Sequence, residues 1–142
     1  MVVSNSGKLD PAHRLFHCKG APLLVYTTQR MPRPVREALA HTSLLRLFPR
    51  GTVPLRSMLA DLRNTHEVRR VVCEGGPRLF RALLEQGLVY DLCITLSARL
   101  FGGAAAPSIT GLPGPFLPHS LRARLVGMEV VDSECFLRYR LT

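Results

Sequence analysis

The twenty residues from Val68 to Gly87, VRRVVCEGGPRLFRALLEQG, constrain the fold of this chain more than any other stretch. Val68, Val71, Val72 and Cys73 read as a short buried strand. The glycine pair Gly75-Gly76 ends it, and Pro77 stands where a helix begins, the one helical position at which a missing N–H costs nothing. Leu79, Phe80, Leu83 and Leu84 then recur at helical spacing, and Gly87 stops the helix. The unit is strand, tight turn, helix.

A glycine turn that opens a helix leaves backbone N–H groups pointing outward beside the positive end of the helix dipole. Such a turn suits a phosphate, and glycine lets a ligand approach the backbone closely. Plain turn chemistry accounts for the same residues without any ligand. Glu74 sits at the carboxyl end of the expected strand, where ligands bind in open α/β sheets; a solvated or helix-capping carboxylate is the alternative.

The rest of the chain supplies strands and helices in alternation. Val2 and Val3 begin a strand that the turn Ser4 to Gly7 ends, and Lys8 to Gly20 reads as a loop with one helical turn around Leu15 and Phe16. Pro22 to Thr28 is a buried strand, Val35 to His41 a short helix, and Leu44 to Phe48 a strand that Pro49-Arg50-Gly51 closes. Thr52 caps and Pro54 starts a helix whose Leu55, Met58, Leu59 and Leu62 face a sheet. Asp91 to Ser97 alternates as another strand, and strands alternating with helices imply parallel pairing. Glycines and prolines from Leu100 to Pro118, among them Pro107, Pro113, Gly114, Pro115 and Pro118, mark a long loop, either a surface connection or a flap over a ligand. Leu121 to Val131 and Cys135 to Leu141 form a hairpin about Asp132-Ser133-Glu134. The fold class is α/β, a mostly parallel sheet flanked by helices with a C-terminal antiparallel hairpin, in a single domain over residues 1–142.

Composition excludes several functions. With 46% hydrophobic residues the chain is globular, yet it holds no apolar run of about 18 residues to cross a membrane. No secretion signal is visible at the start, and a cytoplasmic location follows by default. Cys18, Cys73, Cys93 and Cys135 are too dispersed for a metal or redox motif and read as buried free thiols; His13, His17 and Cys18 lack a second ligand cluster, so no metal is expected. The net charge of +9 raises the question of nucleic acid, but the arginines are scattered and not interleaved with aromatics, so a nucleic-acid partner is not expected.

The run VVCEGGPRLFRALLEQGLVYDLCITLSARLFGG, together with VVSNSGKLDPAHRLF, PLLVYTT and the closing FLRYR, resembles the pyrimidine reductase family of riboflavin biosynthesis. These are the C-terminal domains of bacterial bifunctional deaminase-reductases and their single-domain counterparts, with a dihydrofolate-reductase-like fold. The likeness covers nearly the whole chain, through E-G-G-P-x-L followed by G-L-V-x-D-L. It implies an oxidoreductase that uses NADPH to reduce the ribosyl group of 5-amino-6-ribosylaminouracil 5′-phosphate to ribityl. It implies further that Gly75, Gly76, Pro77, Arg78, Leu79, Phe80 and Arg81 lie along the cofactor, that Asn5 and Ser6 face it, and that Glu74 contacts the phosphorylated pyrimidine. Thr27 and Thr28 are weaker candidates, and no catalytic residue is assigned.

Family domains also carry, before the strand at Val2, a further strand with an S-L-D-G-type substrate loop and a G-x-G-T-type turn. Neither is present in this sequence, so an incomplete domain is expected, with an uncovered sheet edge. The partners expected are a second copy in a homodimer or a chain that completes the sheet. Two other functions remain open: a non-catalytic remnant or interaction module of the same fold, and a dihydrofolate-reductase-like reductase with another substrate.

Overall fold

The computed structural model describes residues 1–18, 20, 23–49, 51–103, 106, 108–111, 117 and 119–142. Pro22, Arg50, Pro107, Pro113, Gly114, Pro115 and Pro118, placed above at a strand start, a turn and the long loop, lie outside them. The chain divides into two compact units, Met1–Arg69 and Arg70–Thr142.

In the first unit, β1 (Val2–Ser4), β2 (Leu23–Thr28) and β3 (Ser43–Phe48) form a parallel sheet in the order β1-β2-β3. β2 is central, and the run LLVYTT goes from half-buried at Leu23 to fully buried at Thr28, as a strand covered on both faces must. β3 pairs on one side only and alternates between half-buried and exposed along most of its length. Register aligns Val2, Val25 and Leu45 on one face. Phe16 of the 3₁₀ turn Arg14–His17, Met31, and Leu39 of α1 (Arg33–Leu39) close over Val25 there as the core. Each such side chain contributes about 1.5–3 kcal/mol by leaving water. Tyr26 looks the other way and meets α2 (Leu55–Asn64), which buries Leu55, Met58 and Leu62 at the expected spacing. Pro54 holds the cap position of α2 with no side-chain cap bond, so Thr52 does not cap it.

The boundary between the units, at Arg69 and Arg70, falls within the stretch expected to be a buried central strand. Residues 67–76 have no ladder partner among the described residues, and Val71, Val72 and Cys73 are exposed, Val72 to 82%. The expectation of a buried strand there fails because apolar β-branched residues mark strand tendency, whereas a strand also needs a neighbour. α3 (Pro77–Glu85) starts at Pro77 with Gly76 as N-cap. It ends with Gly87 N–H on the Leu84 carbonyl (3.0 Å) and Leu88 N–H on that of Leu83 (2.9 Å). That pair of bonds is the Schellman arrangement.

β4 (Asp91–Ser97), β5 (Ala123–Val131) and β6 (Glu134–Leu141) form an antiparallel sheet in the order β4-β6-β5. β4 therefore pairs antiparallel with β6 and not in the parallel sheet expected from its place in the chain. The hairpin turns at Asp132, whose φ is +52°, and a bulge between Leu125 and Gly127 shifts the register of β5. Arg140 grips Asp91 across the β4–β6 pair (Nε–Oδ1 2.6 Å) and stacks over the Tyr90 ring at 4.1 Å. The cysteines are free thiols but not buried ones: Cys18, Cys73 and Cys93 are exposed and Cys135 is half-buried.

Candidate functional site

In the second unit the glycine turn and the helix start come together as the sequence indicates. Gly76 is extended (φ −64°, ψ 169°), and a Cβ built on it would meet nothing within 4 Å. Among the described residues, none crowds this position. Gly75 is different: a Cβ there would lie 2.7 Å from Leu79 Cδ2, so this glycine lets the turn settle onto the first turn of α3.

Leu79 and Phe80 spend their N–H groups on the Gly76 carbonyl (3.0 and 3.2 Å), and Pro77 has none. That leaves the N–H groups of Gly75, Gly76 and Arg78 as the donors able to receive an anion, beside the positive end of the helix dipole. Arg78 is exposed. Arg81, one turn on, is bound to Glu85 of the same helix (Nε–Oε1 2.9 Å), and its charge is already matched. Leu79 and Phe80 are half-buried, so their contribution is to seat the helix. Gly111 rests on Pro77: a Cβ there would come within 2.6 Å of Pro77 Cβ and Cγ. Its N–H closes a turn onto the Ser108 carbonyl and hydroxyl, both at 3.0 Å. Part of the long loop therefore touches the helix start, a contact that loop composition could not disclose. Glu74 is exposed in the extended stretch and makes no ion pair with a described residue.

In the first unit, Asn5 Oδ1 accepts from the Val53 N–H (2.8 Å) and the Asn5 carbonyl accepts from the Thr28 hydroxyl (2.8 Å). These bonds fix the turn after β1, and Asn5 itself is exposed. Ser6 Oγ accepts from the Lys8 N–H at 3.3 Å. Thr27 and Thr28 are fully buried, and Thr28 acts as a brace for the turn. The residues expected at the site thus fall in two separate constructions, Asn5 and Ser6 in the first unit and Glu74 to Arg81 in the second.

A polar cluster that the sequence did not disclose lies between β2, β3 and α2. Tyr26 Oη donates to Asp61 Oδ2 (2.7 Å), Thr65 Oγ1 donates to Asp61 Oδ1 (3.0 Å), and Arg46 Nε (3.5 Å) and His66 Nε2 (3.7 Å) stand near the same carboxylate. Burial, then the bond to Asp61, pushes the Tyr26 phenol above its ordinary range. The Tyr26 hydrogen bond holds the Asp61 carboxyl below the usual carboxylate range, against the opposing effect of burial. The cluster is structural in character, an anchor of α2 on the sheet.

His13 Nδ1 accepts from the Leu15 N–H, His17 Nε2 lies 2.9 Å from the Pro11 carbonyl, and the Cys18 thiol donates to the Arg14 carbonyl. These side chains serve the local turn. Among the described residues no helix is long and apolar enough to cross a membrane.

No curated protein matches the sequence. Solved structures do. Acinetobacter baumannii RibD is 21% identical, with a TM-score of 0.75 over 97% of this chain and 36% of that one. Saccharomyces cerevisiae Rib7, a riboflavin biosynthesis reductase, is 16% identical, with a TM-score of 0.69 over 99% of this chain and 64% of that one. A Thermotoga maritima diaminohydroxyphosphoribosylaminopyrimidine deaminase/5-amino-6-(5-phosphoribosylamino)uracil reductase is 20% identical, with a TM-score of 0.66 over 99% of this chain and 37% of that one. The chain thus spans between about a third and two thirds of the length of these relatives. Their likeness shows the α/β, dihydrofolate-reductase-like fold. The sequence itself matches the RibD C-terminal domain over residues 1–137, and the chain belongs to that family.

Proposed function

We propose that this chain is an NADPH-dependent pyrimidine reductase domain of riboflavin biosynthesis, acting on the ribosyl group of 5-amino-6-ribosylaminouracil 5′-phosphate. Membership of the RibD C-terminal domain family over residues 1–137 is the observation that carries the reading, and it spans both units, in favour of one domain. The substrate rests on the name of the Thermotoga maritima relative. The helix start supports the nucleotide: three backbone donors and an exposed arginine fit a phosphate, and no described atom lies within 4 Å of a Cβ built on Gly76.

In this reading the N–H groups of Gly75, Gly76 and Arg78 hold a cofactor phosphate. The Arg78 guanidinium pairs with the 2′-phosphate and so favours NADPH over NADH. Arg81, through Glu85, stiffens the helix beneath. Asn5 and Ser6 face the cofactor from the turn that Val53 and Thr28 fix, and Glu74 contacts the substrate. When bound, the nicotinamide supplies the hydride; the chain supplies position and charge.

One observation favours a second reading, an interaction module of the same fold without turnover of its own. The unladdered stretch 67–76, exposed except at the half-buried Val68, is a strand-forming segment with no strand beside it among the described residues. A partner chain that completes a sheet belongs to this reading, and a homodimer to either.

Calorimetric titration of NADPH into the purified chain, beside the Gly76→Asp variant, tests the proposal. A side chain at 76 enters open space, so the aspartate alters charge without a clash. Binding by the wild type that weakens at least tenfold in Gly76→Asp is expected. A folded chain that does not bind, or a variant that binds equally well, overturns the nucleotide site; binding without turnover on the pyrimidine favours the interaction module.

A further inference from the structure

We infer that Phe101 is the apolar cover of the nucleotide site, stacking on a flat ring of the nucleotide whose phosphate the helix start receives. The inference rests on the nucleotide reading above and concerns the second unit alone.

Topology carries the segment past the site. Leu84, near the end of α3, shares a hollow with Leu141, and the Leu141 N–H bonds to the Tyr90 carbonyl (3.1 Å) just before β4. The end of α3 and the start of β4 therefore lie together. β4 runs about 20 Å from that end over its seven residues. By Gly111 the chain stands against Pro77, the first residue of α3. Leu100 and Phe101 lie on the path from Ser97 to that contact.

Neither side chain has cover among the described residues. Leu100 is fully exposed and Phe101 is 81% exposed, while Ile109, beside the Gly111 turn, is 58% exposed. Large apolar side chains grouped in this way on one loop mark a binding surface. The other described aromatic rings are held in strands, in the core of the first unit, in α3, or beneath Arg140. Phe101 alone among them is carried by an open loop.

The backbone around it is built to swing. The Arg99 N–H bonds to the Ser97 carbonyl (2.7 Å), a three-residue turn that ends β4. Gly102 and Gly103 follow Phe101, with Gly103 at φ +110°, and a Cβ on either would meet nothing within 4 Å. A closed turn on one side and a glycine pair on the other leave Leu100 and Phe101 as the movable part.

The neighbouring site selects what the ring covers. Backbone N–H groups and an arginine answer the charge of a phosphate, but they give nothing to the apolar rings of a dinucleotide. A base stacked on an aromatic side chain sheds water from its face. Phosphate at the helix start and a ring under Phe101 are then two parts of one ligand.

Phe101→Trp tests this, because the chain has no tryptophan of its own. Acrylamide quenching of the indole is measured with and without saturating NADP, the oxidised form, which does not absorb the emission. Tyr90→Trp, at the other end of β4, is the control, and inorganic pyrophosphate is the probe that lacks a ring. Quenching in Phe101→Trp should fall several-fold with NADP and stay unchanged with pyrophosphate, while Tyr90→Trp responds to neither. Protection by ADP as well as NADP makes the ring adenine, and protection by NADP alone makes it nicotinamide; either supports the inference. Calorimetry on Phe101→Ala should show NADP bound about tenfold more weakly and pyrophosphate bound as before. Protection by pyrophosphate, or an unchanged NADP affinity in Phe101→Ala, overturns the inference. A chain that binds NADP while the indole stays as quenchable as before removes only the cover. A wild type that does not bind NADP removes the nucleotide site and the cover with it.

Discussion

Tyr26, in the central strand of the first sheet, donates a 2.7 Å hydrogen bond to Asp61 on α2. The ring is wholly buried and stacks against Phe48 with centroids 6.4 Å apart, so its hydroxyl is the one part that needs a polar partner. Tyr26→Phe keeps the ring and removes that bond. Because the acceptor is a charged carboxylate, the loss is expected to lower the stability of the first unit by about 1.5–3 kcal/mol. Urea unfolding measures it, and a variant as stable as the wild type would show that water replaces the phenol at no cost.

The same carboxylate makes the first unit acid-sensitive. Asp61 is held below the usual range first by the Tyr26 bond, with Thr65, Arg46 and His66 adding to it. A carboxyl that titrates lower when folded contributes stability that is fully present above its unfolded value, about pH 4. That stability is lost as pH falls through the folded value. Asp91, held down by Arg140, acts in the same direction in the second unit. Thermal melts from neutral pH into acid should fall for the wild type, whereas Asp61→Asn should start lower and fall less steeply. An equal slope in both would remove Asp61 from the account.

Much of this fold can be read from local chemistry. Leu55, Met58 and Leu62 give α2 by their spacing, and Gly76-Pro77 and Gly87 bracket α3 because proline and glycine act on their own backbone. Cys135, Leu137 and Tyr139 share one face of β6 because side chains alternate along a strand, a pattern visible in the sequence. Val68 to Cys73 misled because apolar residues say that a strand is possible, while pairing depends on a neighbour that local sequence does not specify. At the site, the 81–85 ion pair was available from its four-residue spacing. The Asn5–Val53 and Tyr26–Asp61 bonds join residues 48 and 35 positions apart, and no local pattern announces them.

Gly7, at φ +63°, lies against Met31, and a Cβ on it would collide with the Met31 side chain and backbone. The left-handed backbone costs about 1–2 kcal/mol for any other residue, and overpacking adds about 1–3. Gly7→Ala is therefore expected to destabilise the first unit by about 2 kcal/mol or more. Gly76→Ala, at φ −64° with open space around it, should stay within about 0.5 kcal/mol of the wild type. Denaturant midpoints that rank the two variants the other way would contradict this placement of the glycines.

Gly111 links the long loop to the proposed nucleotide site. Its φ is +66°, and an added methyl group would strike Pro77 at the first position of α3. Gly111→Ala must lift the turn from Pro77 or push back the start of the helix whose N–H groups are assigned to a phosphate. A strain of about 1–2 kcal/mol placed there converts to roughly a tenfold loss of affinity. Calorimetry with NADPH should show that loss in Gly111→Ala. Ser108→Ala removes only the hydroxyl that receives the Gly111 N–H and leaves the carbonyl bond in place, so its effect should be smaller. Unchanged affinity in Gly111→Ala would mean that the turn has no part in holding the nucleotide.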